Sequence, residues 1–249
     1  MNVGFIGAGK VGCSFGKYFQ EHKIQVTGFY SKSEDSSLAA SNFTSSKQYL
    51  NLRELVDEND TIFITTPDGQ IQEVWQEIKN YQIKNKLICH CSGAISSDIF
   101  SNIQDYGAYG YSVHPMFSIS DKYNSYKKLK KSFITIEGDE KYAKFLCDFF
   151  KKLGNSTVIV SKENKFLYHA ASVVSSNLVL GLINTSVTYL IQCGFTEKMA
   201  IEALYPLIEF NIRNIKEKGI IESLTGPVER CDISTIKGHC EVLSDGDRA

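Results

Sequence analysis

The sequence predicts an α/β fold: a mostly parallel sheet with helices on both faces, followed by an all-helical domain. Three observations carry this expectation. Asn2 to Ile6 reads as a short buried strand ending in Gly7-x-Gly9-x-x-Gly12, with a helix behind it. Strand, turn and helix patterns then alternate as far as Val160, the signature of parallel strands joined by crossover helices. Beyond Ser161 strand signals nearly vanish and long apolar helical stretches take over. The expected domains are residues 1–160, binding a dinucleotide, and residues 161–249, a helical substrate and dimerisation domain.

The glycine turn assigns a task to each glycine. Gly7 makes the tight turn, Gly9 lets backbone approach a pyrophosphate, and Gly12 lets helix and strand pack closely. Together with Ala8, Lys10 and Val11, these residues open a helix whose unpaired N–H groups favour phosphate. The second strand, Ile24 to Tyr30, ends in Ser31-Lys32-Ser33, where an NAD-preferring domain usually has an acid. A cation between two hydroxyls suits a 2′-phosphate, so NADP is expected over NAD.

Asn51 to Glu58 reads as a short helix and Asp60 to Thr65 as a strand, closed by Thr66-Pro67-Asp68. Asp68 is expected to cap a helix over Gln70 to Asn80, with Ile71, Val74, Trp75 and Ile78 on one face. The strand Lys86 to Cys91 opens into Ser92-Gly93-Ala94, a small-residue turn suited to backbone passing a ligand. Ala108 to Val113 is a further strand, after which His114 stands either as a ligand-binding residue or as a loop-fixing one. Asp121 to Lys131 reads as a surface excursion, Ser132 to Glu137 and Ser156 to Val160 as strands, and Lys141 to Leu153 as an amphipathic helix.

Glu163 to Gln192 reads as one long buried helix. Lys165 and His169 share a face, Ser172 and Ser176 continue it, and Asn177 lies on an adjoining one. Gly194 stops this helix and Thr196 caps the next, which Pro206 is expected to kink or divide. Arg230, one of four arginines, stands beside the Thr225-Gly226-Pro227 turn, as a carboxylate or phosphate ligand or as half of a structural ion pair. Asp232 either orients Arg230 or caps the following helix.

Composition narrows the function classes. A net charge of -1 argues against nucleic acid or an anionic membrane as main partner. The N-terminus has no signal-peptide pattern, and no run is expected to reach the roughly 20 apolar residues that cross a bilayer. Seven scattered cysteines suggest reduced thiols and a cytoplasmic protein. Cys89-His90-Cys91 has no second pair at finger spacing, so no metal site is expected.

The order Gly7 to Gly12, Pro67-Asp68, His90-Cys91-Ser92-Gly93-Ala94, Ser112-Val113-His114-Pro115, Tyr168-His169-Ala170-Ala171, Ser176-Asn177 and Thr225-Gly226-Pro227 resembles one bacterial family. Its members join a Rossmann-like NADP-binding domain to a helical C-terminal domain of unknown function. They are similar to 6-phosphogluconate dehydrogenase, ketopantoate reductase and pyrroline-5-carboxylate reductase. Cys231 departs from the family's Arg-Gly-Asp, and the helical domain ends soon after His239. The resemblance implies an NADPH-dependent oxidoreductase acting on a small 2-oxo acid, with ketopantoate first, in pantothenate synthesis. Lys165 or His169 would supply the proton, Asn177 would hydrogen-bond substrate or nicotinamide, and Ser176, Thr225 and Arg230 would hold the substrate. A homodimer is expected. The rivals are an imine reductase, a prephenate-dehydrogenase-like oxidation using His114, and a non-catalytic NADP-binding sensor.

Overall fold

The computed structural model describes residues 1–243. Its centre is an eight-stranded sheet in the order β3-β2-β1-β4-β5-β6-β7-β8. The strands are β1 (Asn2–Ile6), β2 (Gln25–Tyr30), β3 (Lys47–Gln48), β4 (Thr61–Ile64), β5 (Leu87–His90), β6 (Tyr109–Met116), β7 (Phe133–Gly138) and β8 (Ser156–Ile159). All neighbours are parallel except β6 and β7, which pair antiparallel. The fold is the expected mostly parallel sheet with helices on both faces.

Period-2 alternation sorts the strand side chains into two cores. Val3 and Phe5 of β1, Phe63 of β4 and Cys89 of β5 face one side, with Phe15, Phe19 and Phe29. Phe5 stacks on Phe29 and Phe63 at centroid distances of 5.0 and 5.6 Å. Ile6, Ile62, Ile64 and Ile88 face the other side, with Trp75 and Leu55. Burial on both faces explains why these strands read as unbroken apolar runs.

The helices of this part are α1 (Lys10–Glu21), α2 (Glu34–Thr44), α3 (Leu52–Glu58), α4 (Asp68–Ile78) and α5 (Glu140–Lys152). Neither α2 nor the two-residue β3 has a clear sequence signal. Ser and Asn dilute the apolar face of α2, and β3 is too short to show alternation. Strand β6 runs through His114 and Pro115 to Met116, three residues past the expected end. Antiparallel pairing with β7 carries it on, and Pro115 sits opposite Ile134. His114 is therefore a strand residue, opposite Thr135.

The helical part consists of α6 (Lys165–Val173), a π-helical turn at Val174–Leu178, α7 (Val179–Gln192), α8 (Glu197–Lys218) and α9 (Ile233–Val242). Three expectations change here. The π turn shifts the register, so a helical wheel drawn from Lys165 and His169 does not extend to Ser176 and Asn177. The helix is not buried within the chain: Leu178, Leu180 and Leu182 are more than half exposed, and only Lys165 and Val187 are buried along α6 and α7. An 18-residue window within the helix Lys162–Gln192 has mean hydropathy 1.5, and by length and composition this helix is long and apolar enough to cross a membrane, which corrects the expectation of no such run. Pro206 lies inside α8 without dividing it.

The chain forms two compact units, Met1–Ser175 and Ser176–Ala249. The first unit thus includes α6, because side chains from its face reach into the sheet edge. In the second unit α7 packs on α8, Thr196 caps α8 by accepting from the Met199 N–H, and Asp232 caps α9 by accepting from that of Thr235. Cys231 adopts φ +54, a left-handed conformation that glycine takes freely. That is where this chain departs from the family pattern.

Candidate active site

The glycine turn has the geometry its sequence demands. Gly7 has φ +106, and a Cβ there would lie 2.8 Å from the Thr65 carbonyl carbon. A Cβ on Gly12 would come within 2.5 Å of both the Gly7 oxygen and Thr65 Oγ1, whereas at Gly9 it would meet open space. Gly9 is the N-cap of α1 and brings no side-chain cap, and the first turn holds no acid. The N–H groups there remain available to an anion. Ala8 and Val11 pack towards the first core, while Lys10 is exposed.

A cavity runs from this turn along β2 and α4, lined by Gly7, Gly9, Ser31, Lys32, Thr66 and Pro67 among others. Thr66 Oγ1 is buried with no hydrogen-bond partner among the described residues. An orphaned hydroxyl beside bare helix N–H groups fits the polar parts of a dinucleotide. Two acids, Glu73 and Glu77, line the same cavity, and Lys32 Nζ lies 3.0 Å from Glu73. Position 32 therefore offers a cation that is already paired. Ser33 caps α2, its side chain accepting from the Ser36 N–H.

Asp68 does not cap α4; Pro67 occupies that place. Asp68 instead accepts a 2.7 Å hydrogen bond from Ser92 Oγ, tying the start of α4 to the turn after β5. The turn is held from within as well. Ser92 Oγ accepts from the N–H groups of Ala94 and Ile95, and His90 Nδ1 accepts from that of Ser92. With Nδ1 accepting, His90 Nε2 carries the proton and donates to the Ser96 oxygen at 3.3 Å. His90 is a fully buried clamp on the turn, and no group of His, Cys, Asp and Glu among the described residues could hold a metal ion.

Helix α6 brings Lys165 to this turn. The side chain is only 2% exposed, and Nζ donates to Ser112 Oγ at 2.6 Å and to the Ser92 oxygen at 3.2 Å. Ser112 Oγ in turn donates to the same Ser92 oxygen at 3.0 Å. Three and four residues further on, on the same side of the helix, stand Tyr168 and His169. Tyr168 Oη lies 2.6 Å from His114 Nδ1 and accepts from Thr135 Oγ1 at 3.1 Å. The His114 and His169 rings are 6.4 Å apart. A Cβ on Gly93 would sit 2.7 Å from His169 Cδ2 and 2.9 Å from His114 Nε2. Gly93 is glycine because two imidazoles press on it.

The setting lowers the basicity of several groups. Burial holds the Lys165 ammonium below the usual lysine range, against the opposing pull of Glu137, Asp68 and Cys91. Burial first, then the charges of Lys165 and His169, brings His114 down to about 4. Burial brings His90 down to about 3 and pushes the Tyr168 hydroxyl up. The result is a lysine of reduced basicity close to His114, whose ring resists protonation, and to a phenol that holds its proton. Sequence reasoning passed over Tyr168, Ser112 and Thr135 as participants. Tyr168 was legible, being three residues after Lys165 on the same face. Ser112 and Thr135 come from neighbouring strands, and nothing local marks them.

Residues 1–115 match the family model of a Rossmann-like domain, and residues 132–249 that of DUF2520, a domain of unknown function. Together the two matches span most of the chain. No curated protein matches it by sequence. Among solved structures it is similar to protein TM1727 of Thermotoga maritima, at 24% identity and TM-score 0.76, covering 95% of this chain and 87% of that one. A protein of Bacteroides fragilis assigned as an NADP oxidoreductase, BF3122, gives 21% identity and TM-score 0.76 over 98% and 91%. The pyrroline-5-carboxylate reductase of Coxiella burnetii gives 14% and 0.70 over 96% and 92%. At these identities the likeness is one of fold.

In the second unit, Ser176 Oγ donates to Asn177 Oδ1 at 2.9 Å. Thr225 and Arg230 are exposed, and the Arg230 N–H donates to the Gly226 oxygen. Asp232 is a helix cap, with its carboxyl held down to about 2 by Ser234 and Thr235.

The depressed histidines make an expectation for acid stability. Unfolded imidazoles take up a proton near 6.5, whereas His114 and His90 resist it until about 4 and 3. Between those values the unfolded chain binds more protons, so stability is full above pH 6.5 and falls as pH drops through 4. Each unit of pKa difference is worth about 1.4 kcal/mol. Urea denaturation followed by circular dichroism should show this fall, and His114→Gln should flatten its upper part; equal slopes in both proteins would remove His114 as its source.

Proposed function

We propose that the chain is an NADPH-dependent oxidoreductase that reduces the C=O of a small 2-oxo acid, with 2-dehydropantoate the first substrate to test. The observation that carries the reading is the buried Lys165, whose ammonium is held by Ser92 and Ser112 and whose charge acts on His114, at the ends of β5 and β6, where a sheet of this topology binds ligands. Bound NADPH would supply the hydride. The residues of the chain would supply the rest. Gly7, Gly9 and the α1 N–H groups would take the pyrophosphate, with Thr66 Oγ1 as a further partner. Lys165, less basic through burial, would give a proton to the developing alkoxide, with His169 as the other donor in reach. Asn177, Ser176, Thr225 and Arg230 are proposed to hold the substrate, Arg230 through its carboxylate. The resemblance of the fold to pyrroline-5-carboxylate reductase supports a second reading, reduction of a cyclic imine.

The test is NADPH absorbance followed with each substrate in turn. Multiple turnovers with 2-dehydropantoate support the first reading, and with pyrroline-5-carboxylate the second. Turnover with neither would leave NADP binding without catalysis. With the active substrate, Lys165→Ala should lower kcat by about 10²–10⁴-fold while NADPH still binds. Arg230→Ala should mainly raise KM. Unchanged kinetics in a folded Lys165→Ala protein would take Lys165 out of the reaction.

Cofactor preference rests on Lys32, and here Glu73 enters. A 2′-phosphate must draw Lys32 away from Glu73. Lys32→Ala should weaken NADPH binding by about ten- to a hundredfold, the worth of a charge-assisted contact, and leave NADH unchanged. Glu73→Gln should tighten NADPH by about two- to fivefold, since an exposed pair is worth at most about 1 kcal/mol. Fluorescence titration of both nucleotides reads both effects.

The exposed apolar helices imply a further copy of the chain. Leu178 in the π turn, Leu180 and Leu182 on α7, and Met199, Ile201, Tyr205, Leu207 and Phe210 on α8 are each about half exposed or more. Lys198, Glu202, Glu209 and Arg213 are interspersed along α8 and form ion pairs. That mixture suits a protein interface better than the interior of a bilayer. A homodimer in light scattering is the expected result, and a monomer at micromolar concentration in detergent-free buffer would count against it.

A further inference from the structure

Tyr168 Oη has Thr135, Ser172 and His114 around it. It accepts from Thr135 Oγ1 at 3.1 Å and lies 2.6 Å from His114 Nδ1. A phenol has a single proton, and the 2.6 Å contact to Nδ1, shorter than the 3.1 Å one from Thr135, is the one that takes it. An imidazole whose Nδ1 accepts carries its own proton on Nε2. His114 Nε2 faces Gly93, 2.9 Å from where a Cβ would stand, and has no hydrogen-bond partner among the described residues. The side of Gly93 is also where His169 approaches.

We infer that Tyr168 is a positioning residue: it locks His114 in the Nε2–H tautomer and leaves a neutral N–H donor aimed past Gly93 at a carbonyl or imine on the substrate. This rests on the reading of the cleft as a reductase site and deepens it. Burial and the charge of Lys165 keep the ring neutral, so the donor does not change charge during the reaction. A neutral imidazole can polarise a carbonyl in this way because the N–H dipole is already oriented. Proton delivery then falls to a different group, for which the buried Lys165 is the candidate. The division explains why a cation and a neutral histidine stand side by side. The strand supplies the polarising donor and the helix supplies the proton.

The tautomer can be read without substrate or turnover. The protein has five histidines, and in a sample labelled with ¹⁵N-histidine the signals of His114 are identified by their loss in His114→Gln. In the unmutated protein, Nδ1 should resonate as a bare ring nitrogen and Nε2 as a protonated one, unchanged between about pH 5 and 8. Tyr168→Phe removes the donor to Nδ1 and should shift the tautomer ratio about fivefold towards Nδ1–H, the equivalent of one hydrogen bond of ~1 kcal/mol. Thr135→Val keeps the Tyr168 proton and should leave the ratio on the Nε2–H side. A protonated Nδ1 in the unmutated protein would overturn the inference, and that spectrum does not depend on any variant folding. A ratio unmoved by Tyr168→Phe would overturn the role of Tyr168. Absence of turnover with both substrates would remove the reductase reading and leave the tautomer result standing, so the two failures are told apart.

Discussion

The Lys165 ammonium, buried against the Ser92 carbonyl and the Ser112 hydroxyl, is the contact on which the site depends. Taking a lysine out of water is costly, and no carboxylate among the described residues pairs with it directly. Two oxygen acceptors supply part of the missing solvation, and more distant acids supply the field. Once this side chain is seated, α6 is fixed in rotation and height on the sheet edge. Tyr168 then meets His114, and His169 meets Gly93, with no further adjustment. The same contact carries α6 into the first compact unit, so that the division falls at Ser175 and not at the end of β8.

The turn that receives Lys165 is itself built from fixed parts. His90 clamps it through both ring nitrogens, Asp68 holds it from α4, and Ser112 holds it from β6. Each contact crosses from one element to the next along the ligand-binding edge. Nucleotide cavity and lysine cluster are therefore joined through Asp68 and Ser92, two side chains that lie between them. A preorganised edge of this kind suits chemistry in which donors must stand ready before the substrate arrives.

The nucleotide part was the most legible from sequence. Gly7, Gly9 and Gly12 act through backbone geometry, which depends on local spacing alone, and the strand–turn–helix order around them is local too. Elements without a local signal were not visible: α2 with its polar face, β3 with two residues, and the extension of β6 through Pro115. In the cluster, Lys165 and His169 were visible as an i, i+4 pair. Glu73 was not, because its relation to Lys32 runs from one crossover helix to the end of another strand. Asp68 has the residue type and place of a cap, and the nearness of Ser92 outweighed that role.

By itself the sequence determined the alternation of strand, turn and helix, the purpose of each glycine in the turn, and the change of texture after Val160. These follow from periodicity and from backbone freedom, properties of a few adjacent residues. Tertiary structure decided which polar groups meet. It made β6 a partner of β7, so that Thr135 stands across from His114, and it inserted the π turn that breaks the helical wheel before Ser176. It also left the long apolar helix uncovered within the chain. An apolar face specifies that it must be buried, but not against what.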